Sequence, residues 1–185
     1  MINIKFPHLS NKDGFTLIEL VVAFSIMAVL STIGIASFVG YSQAQTLQQA
    51  TNDVTTVLNT AKSNAISQVK PIISNSTCLQ GVLNGYQVVL GNQIVSGKST
   101  ASYTLYAVCN GAPDQLSKIT KQLNGVSFDS TTFVSPATTA TITFLVLTGG
   151  VTSTGVVGAN GTSIILDGVN NTQKTITVTQ GGLIQ

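Results

Sequence analysis

An uncharged stretch near the N-terminus constrains this chain more than any other feature. From Leu20 to Gly40 every residue is apolar or small, and the first charged residue after Glu19 is Asp53. A helix needs about 20 apolar residues to cross the hydrocarbon core of a bilayer. The sequence therefore predicts one membrane-spanning helix that begins close to Glu19.

The lysines predict the orientation of this helix. Lys5 and Lys12 precede the apolar stretch, and no lysine follows until Lys62. Positive charge is enriched on the cytoplasmic side of spanning helices. We therefore expect a single-pass protein of the cytoplasmic (inner) membrane, with its N-terminus in the cytoplasm and the remainder outside.

The helical pattern continues beyond the apolar stretch as an amphipathic segment. Apolar residues recur there at steps of three and four, with amide, hydroxyl and a few charged side chains between them. These apolar positions are Ala44, Leu47, Ala50, Val54, Val57, Leu58, Ala61, Ala65 and Val69. Because the residue before a proline avoids helical geometry, Pro71 predicts a helix from about Phe15 to about Gln68.

Beyond Pro71 the pattern is typical of short β-strands. Runs rich in Val, Ile, Thr, Tyr and Phe alternate with turn pairs that contain Gly, Asn or Asp, and no helical period of ten residues appears. The predicted strands are Tyr86–Val95, Ser102–Cys109, Gly125–Phe128, Thr141–Thr148, Ser163–Leu166 and Thr175–Thr179.

The predicted fold class is α+β. A long N-terminal helix, half transmembrane and half amphipathic, packs on a small and mostly antiparallel β-sheet domain. The predicted boundaries are a leader over 1–14, the long helix over 15–70 with about 17–40 in the membrane, and an extracytoplasmic β domain over 71–185.

Two cysteines, Cys78 and Cys109, bracket the first predicted hairpin. An even cysteine count in an exported protein predicts one disulfide, and a pair of buried free thiols is the alternative. The two cysteines lack the spacing and the histidine partners of a metal site, because His8 in the leader is the only histidine. We predict no catalytic residue, no metal and no cofactor.

The content and distribution of charge argue against nucleic-acid binding. Only 8% of the residues are charged and the chain contains no arginine. A nucleic-acid-binding protein usually carries a clustered basic face, whereas these lysines are scattered, so nucleic acid is not an expected partner. Asp114, Asp129 and Asp167 could pair in space, but they are expected to be solvated loop residues.

The segment Lys12-Asp13-Gly14-Phe15-Thr16-Leu17-Ile18-Glu19 resembles the class III signal of type IV prepilins and type II secretion pseudopilins. The resemblance implies a pilin fold and a structural role. It implies that prepilin peptidase cuts after Gly14 and methylates the new amine of Phe15. It also implies that Glu19 meets the Phe15 amine of a neighbouring subunit during assembly, with an inner-membrane assembly platform and lipid as further partners.

Other parts of the chain resemble the H-type (GspH/FimT) branch of minor pseudopilins. The similarity covers about residues 45–70 and 140–185, including Ala61-Lys62-Ser63-Asn64-Ala65-Ile66 and the closing Gly181-Gly182-Leu183-Ile184. In that branch the last strands end in a glycine turn and a short final strand. This resemblance implies a type IV pilus or a type II secretion pseudopilus as the assembly.

Alternative interpretations stay open from the sequence. Gly34-Ile35-Ala36 before Ser37 has the small residues that a secretory signal peptidase accepts, which would release a secreted β protein. A plain single-pass anchor is a second alternative. Within the pilin interpretation, a pilus-tip adhesin or a DNA-uptake minor pilin is an alternative to a scaffold subunit.

Overall fold

A computed structural model describes residues 14–135, 137–156 and 161–185. The predicted leader therefore lies outside the described residues, apart from Gly14. The longest element is helix α1, Leu17–Ile66, which continues through the predicted membrane stretch and the amphipathic segment without interruption. A long N-terminal helix packed with an antiparallel β-sheet domain confirms the predicted α+β class and is consistent with the pilin fold.

Helix α1 ends two residues earlier than predicted, and its last turn explains why. Gln68 adopts a left-handed conformation with φ of 51°. Its N–H donates to the carbonyl of Ala65 at 3.2 Å, and the N–H of Val69 donates to the carbonyl of Asn64 at 3.0 Å. This pair of bonds is the Schellman motif, which satisfies the last helical carbonyls. Pro71 follows, so the chain leaves the helix in an extended conformation.

The second half of α1 presents one buried stripe, as its periodicity predicts. Seven of the predicted apolar positions are buried, namely Leu47, Ala50, Val54, Val57, Leu58, Ala61 and Ala65. The prediction is wrong at both ends of the stripe, since Ala44 is exposed and Val69 lies beyond the helix and is exposed. The periodic pattern therefore extends beyond both ends of the helix surface that packs on the β domain.

The first sheet is built around a long hairpin. Strand β1, Leu83–Val95, pairs antiparallel with β2, Lys98–Cys109. Ser96 and Gly97 connect them with φ of 52° and 76°, the conformation of a two-residue type I′ turn. Both strands were predicted, and both begin three or four residues earlier than expected.

Four further strands complete this sheet. Strand β6, Thr139–Leu145, pairs with the free side of β1, and β7, Val151–Thr154, pairs with β6. On the other side, β3, Ala112–Pro113, and β4, Ile119–Leu123, share the outer edge of β2. The sheet order is thus β3-β2-β1-β6-β7, with β4 beside β2.

A second, three-stranded sheet has the order β5-β8-β9. It comprises β5, Ser127–Phe128, β8, Gly161–Asp167, and β9, Gln173–Thr179. A four-residue helix α2, Thr77–Gln80, and three single-turn 3-10 helices complete the described elements. Every strand pair among the described residues is antiparallel, in agreement with the predicted, mostly antiparallel domain.

One hydrophobic core lies within residues 41–185. It joins the buried stripe of α1 to inward-facing residues of both sheets. The largest fully buried side chains are Phe144, Leu58, Leu90, Ile142, Ile164, Leu166 and Ile176. Asp53 of α1 also accepts a hydrogen bond from the Lys121 ammonium of β4 at 2.8 Å. The amphipathic half of α1 is therefore an integral part of the β domain.

Candidate functional site

The predicted processing point lies just outside α1. Gly14, Phe15 and Thr16 have no regular secondary structure, and the helix begins at Leu17. The Thr16 hydroxyl accepts a hydrogen bond from the N–H of Glu19 at 3.3 Å, which is the geometry of a helix N-cap. The bond between Gly14 and Phe15 is thus two residues ahead of the helix, where the backbone is free of helical hydrogen bonds.

The packing of the described residues does not require a glycine at position 14. A Cβ added there would meet no atom within 4 Å, and its backbone is not in the left-handed region. Phe15 is 78% exposed. Neither side-chain position is packed in the described fold.

Glu19 lies in the first turn of α1, where an acidic side chain is favoured by the helix dipole. Its neighbours Leu17, Ile18 and Leu20 are all exposed. Among the described residues, the Glu19 carboxylate has no ion-pair partner. Charged side chains are rare within membrane-spanning segments and usually mark functional positions there.

The apolar half of α1 is unburied throughout its described side chains. The exposed large residues include Val21, Val22, Phe24, Ile26, Met27, Val29, Leu30, Ile35, Phe38 and Val39. In the part of the chain that the structure describes, α1 is the helix long and apolar enough to cross a membrane. An apolar surface of this extent marks contact with lipid or with other protein.

The segment between α1 and β1 is joined to the strands by a disulfide and by hydrogen bonds. Cys78 of α2 and Cys109 of β2 form the disulfide, with Cα atoms 5.2 Å apart. The Tyr86 hydroxyl donates to the carbonyl of Val69 at 2.7 Å, and a buried hydrogen bond joins the side chains of Ser76 and Asp114. Within the segment, the Lys70 ammonium donates to the carbonyl of Gly81 at 2.7 Å.

Asp114 corrects one sequence-based expectation. It is 3% exposed rather than solvated. Its carboxylate accepts hydrogen bonds from the Ser76 hydroxyl and from the N–H of Leu116. Ser76 in turn caps α2 by accepting from the N–H of Cys78 at 3.0 Å. A Ser at a helix start is a capping signal, but nothing local connects it to an aspartate 38 residues away.

Asp129 and Asp167 are brought together at one end of the second sheet by a shared bond to Gln173, which is the alternative to the expected solvated loop residues. The Gln173 amide donates to Asp129 at 3.4 Å and to Asp167 at 2.9 Å. Hydrogen bonds from the Thr131 hydroxyl and N–H lower the pKa of Asp129 below its usual value. Burial raises the pKa of Asp167. The hydrogen bond from Gln173 opposes that rise, and the charge of Asp129 adds to it.

Comparison with known proteins finds a family motif in the N-terminal segment. The chain carries the prokaryotic N-terminal methylation motif. This motif matches residues 9–35, which include the proposed processing point and most of the apolar stretch. Type IV prepilins carry the same motif, so the match supports the type IV pilin family.

Two curated relatives give the same indication. Both are described as "Fimbrial protein" from Pseudomonas aeruginosa, and each is 36% identical to this chain over 66 residues. The alignment covers 36% of this chain and 42% of each relative, so the chain spans less than half the length of the curated relatives it matches. No solved structure matches the chain.

Proposed function

We propose that this chain is a structural subunit of a type IV pilus or a related pseudopilus. The observation that carries the proposal is the methylation motif over residues 9–35, which overlaps the apolar half of α1, where the described side chains are unburied. A pilin subunit is a scaffold rather than an enzyme. In this proposal the apolar half of α1 first anchors the chain in the inner membrane and later contacts other subunits.

Processing is proposed at the bond between Gly14 and Phe15. Glycine offers a protease an unobstructed backbone, and the residue is not required by the fold. The rival cleavage before Ser37 would fall inside the uninterrupted helix α1, in a conformation that a protease active site does not accept without unwinding. The proposed enzyme is prepilin peptidase, which would also methylate Phe15.

Mass spectrometry of the mature N-terminus tests this proposal. We expect an N-methylated Phe15 as the first residue of the mature chain. A terminus at Ser37 would instead show a secretory signal peptide, and an intact N-terminus would indicate a plain membrane anchor. Either of those two results would overturn the proposed function.

Glu19 is proposed to pair with the new amine of Phe15 in a neighbouring copy. An α-amino group has an ordinary pKa of about 7.7–8.0, so it is largely protonated near neutral pH. Pairing with a carboxylate neutralises both charges within an apolar interface, where an unpaired charge is costly. The contact would also set the axial offset between adjacent copies.

Substitution of the two acidic residues of α1 separates this role from a general effect of charge. We expect Glu19→Gln to insert in the membrane normally and to reduce the assembled fraction by about tenfold or more, since breaking a buried pair costs several kcal/mol. Asp53→Asn, which removes a carboxylate that binds Lys121, is the matched control and should assemble. Normal assembly of Glu19→Gln would contradict the pairing.

Within the family, we propose a minor pseudopilin of the H-type branch. The C-terminal tail supports this assignment. Gly182, with φ of 76°, turns the chain after β9, and a bridge pairs Val178 with Ile184. A Cβ at Gly182 would lie 2.4 Å from the carbonyl oxygen of Gly149, so the turn requires glycine. Shearing of assembled material tests the assignment, because a minor subunit is scarce there and a major pilin dominates.

A further inference from the structure

Asparagine followed by glycine is a dipeptide in which a protein chain readily modifies itself, and this chain contains four such pairs. The glycine N–H attacks the asparagine side-chain amide, and no Cβ hinders its approach. The pairs are Asn84-Gly85, Asn110-Gly111, Asn124-Gly125 and Asn160-Gly161. Asn160 lies outside the described residues, so the comparison below concerns the other three pairs.

The reaction needs no enzyme and no co-reactant other than water. The backbone nitrogen of the glycine forms a bond to Cγ of the asparagine, and the bond from Cγ to Nδ2 breaks. The proton of the glycine N–H leaves with the amide nitrogen as ammonia, and a succinimide ring remains. Water then opens this ring at either of its carbonyl carbons, which yields aspartate or isoaspartate.

Hydrogen bonds hold the reacting groups of the Asn110-Gly111 pair. The Gly111 N–H, which is the nucleophile, donates to Oδ1 of Asn84 at 2.8 Å. Oδ1 of Asn110 accepts from the N–H of Val82 at 3.0 Å, and the Asn110 N–H donates to the Val82 carbonyl at 2.9 Å. These bonds fix the backbone and the side chain of Asn110, whereas ring closure requires both to rotate.

Strand pairing protects the Asn84-Gly85 pair. Gly85 is buried in β1, where it lies opposite Val108 of β2 and Leu145 of β6. The backbone carbonyl of Asn84 also accepts from the N–H of Val146 at 3.2 Å. Ring closure at Asn84 therefore requires the paired backbone of β1 to open.

The Asn124-Gly125 pair has none of this protection. Both residues are exposed in the turn that follows β4, and Gly125 adopts φ of 81°. Within the part of the chain that the structure describes, neither the Asn124 side chain nor the Gly125 N–H makes a hydrogen bond. The nucleophile and the amide that it attacks are thus both available to react.

We propose that Asn124 is a site of spontaneous deamidation in the folded protein, whatever the function of the chain. The conversion adds a carboxylate to a cleft of about 240 Å³ that Asp53 and Lys121 also line. Isoaspartate, in addition, lengthens the main chain by one carbon at this turn. The turn lies close to α1, because a Cβ added at Gly125 would be 3.2 Å from Cγ2 of Thr46.

Peptide mapping by mass spectrometry tests the inference on the full chain, aged in detergent at mildly alkaline pH and digested at acidic pH. Fragment ions assign the conversion to individual asparagines. We expect Asn124 to convert about tenfold or more faster than Asn84 and Asn110, because those two must first lose hydrogen bonds or strand pairing. Conversion of Asn124 at or below the rate of either protected pair would overturn the inference.

Ageing the same chain in concentrated denaturant is the control for local sequence. The three pairs are then the same dipeptide without the fold, and we expect their rates to become similar. If Asn124 leads by the same factor in denaturant, the local sequence sets the ranking and the inference is wrong.

Two substitutions sharpen the test. Asn124→Gln should abolish the conversion at that position, since a glutamine closes its larger ring far more slowly, and a persistent signal there would refute the site. Asn84→Ala removes the acceptor of the Gly111 N–H and should speed the conversion of Asn110 several-fold. An unchanged rate at Asn110 would contradict the protection by hydrogen bonds that singles out Asn124.

Discussion

The two halves of helix α1 share one helical backbone but differ in whether their apolar side chains are buried. Before Gly40, the large apolar side chains of the helix lie exposed. After Tyr41, a stripe of apolar residues is buried in the core of the β domain, and the opposite face is polar and uncharged. Leu30 is 63% exposed, whereas Leu58 is 0% exposed.

The difference shows that helix formation and domain stability are separate properties of this chain. The second half obtains most of its stability from tertiary packing, as amphipathic helices do. The first half has no such packing partner among the described residues. We expect substitutions in the first half to affect location and assembly, and substitutions in the second half to affect the free energy of unfolding.

The largest expected effect contrasts two leucines on the one helix. Leu58→Ala removes a fully buried side chain and should destabilise the β domain by about 3–5 kcal/mol, through lost burial and the cavity that remains. Leu30→Ala, the matched control, should leave that free energy unchanged. Urea unfolding of the full chain in detergent, followed by hydrogen exchange of strands β1 and β6, measures both. Equal losses of unfolding free energy in the two variants would show that the two halves of α1 are one cooperative unit.

The disulfide should have a somewhat smaller effect, confined to the second region. Cys78 and Cys109 are 31 residues apart, and closing a loop of that length stabilises a domain by about 3–4 kcal/mol in the chain-entropy model. Reducing the wild type should lower the free energy of unfolding by this amount. The double variant Cys78→Ala/Cys109→Ala should be insensitive to reductant. A reductant-dependent change in the helicity of residues 17–39 would contradict the separation of the two regions.

The smallest expected effect is a pH dependence from Asp129 and Asp167. The lowered pKa of Asp129 means that its ionised form stabilises the folded state above the ordinary value of 3.8 and that this contribution is lost as the pH falls. The raised pKa of Asp167 has the opposite sign, so its contribution is present below 3.8 and is lost as the pH rises through the folded-state value.

Two variants separate these contributions. Relative to wild type, Asp129→Asn should become less stable as the pH increases from about 3 to about 6, whereas Asp167→Asn should become more stable over the same range. Denaturant unfolding at a series of pH values measures both slopes. Slopes of the same sign would show that the two carboxylates do not interact as the structure indicates.

Much of the fold was predictable because its signals are local. The hairpin β1–β2, β6, β8 and β9 carry β-branched and aromatic residues between turn pairs, and all were found close to their predicted ranges. Strands β3, β4 and β7 were missed. Four of the five residues in β4 are exposed, and β7 has no buried residue. Such edge strands lack the alternation of buried and exposed residues from which strands are recognised.

The sequence by itself determined the N-terminal segment up to Gly40, and only the tertiary structure decided the environment of the polar residues in the β domain. The motif around Gly14, Phe15 and Glu19 and the uncharged stretch after it are contiguous, so composition and spacing are sufficient to recognise them. The bond between Ser76 and Asp114 joins residues 38 positions apart. No local pattern specifies such a pair, because its burial depends on how the sheet brings distant segments together.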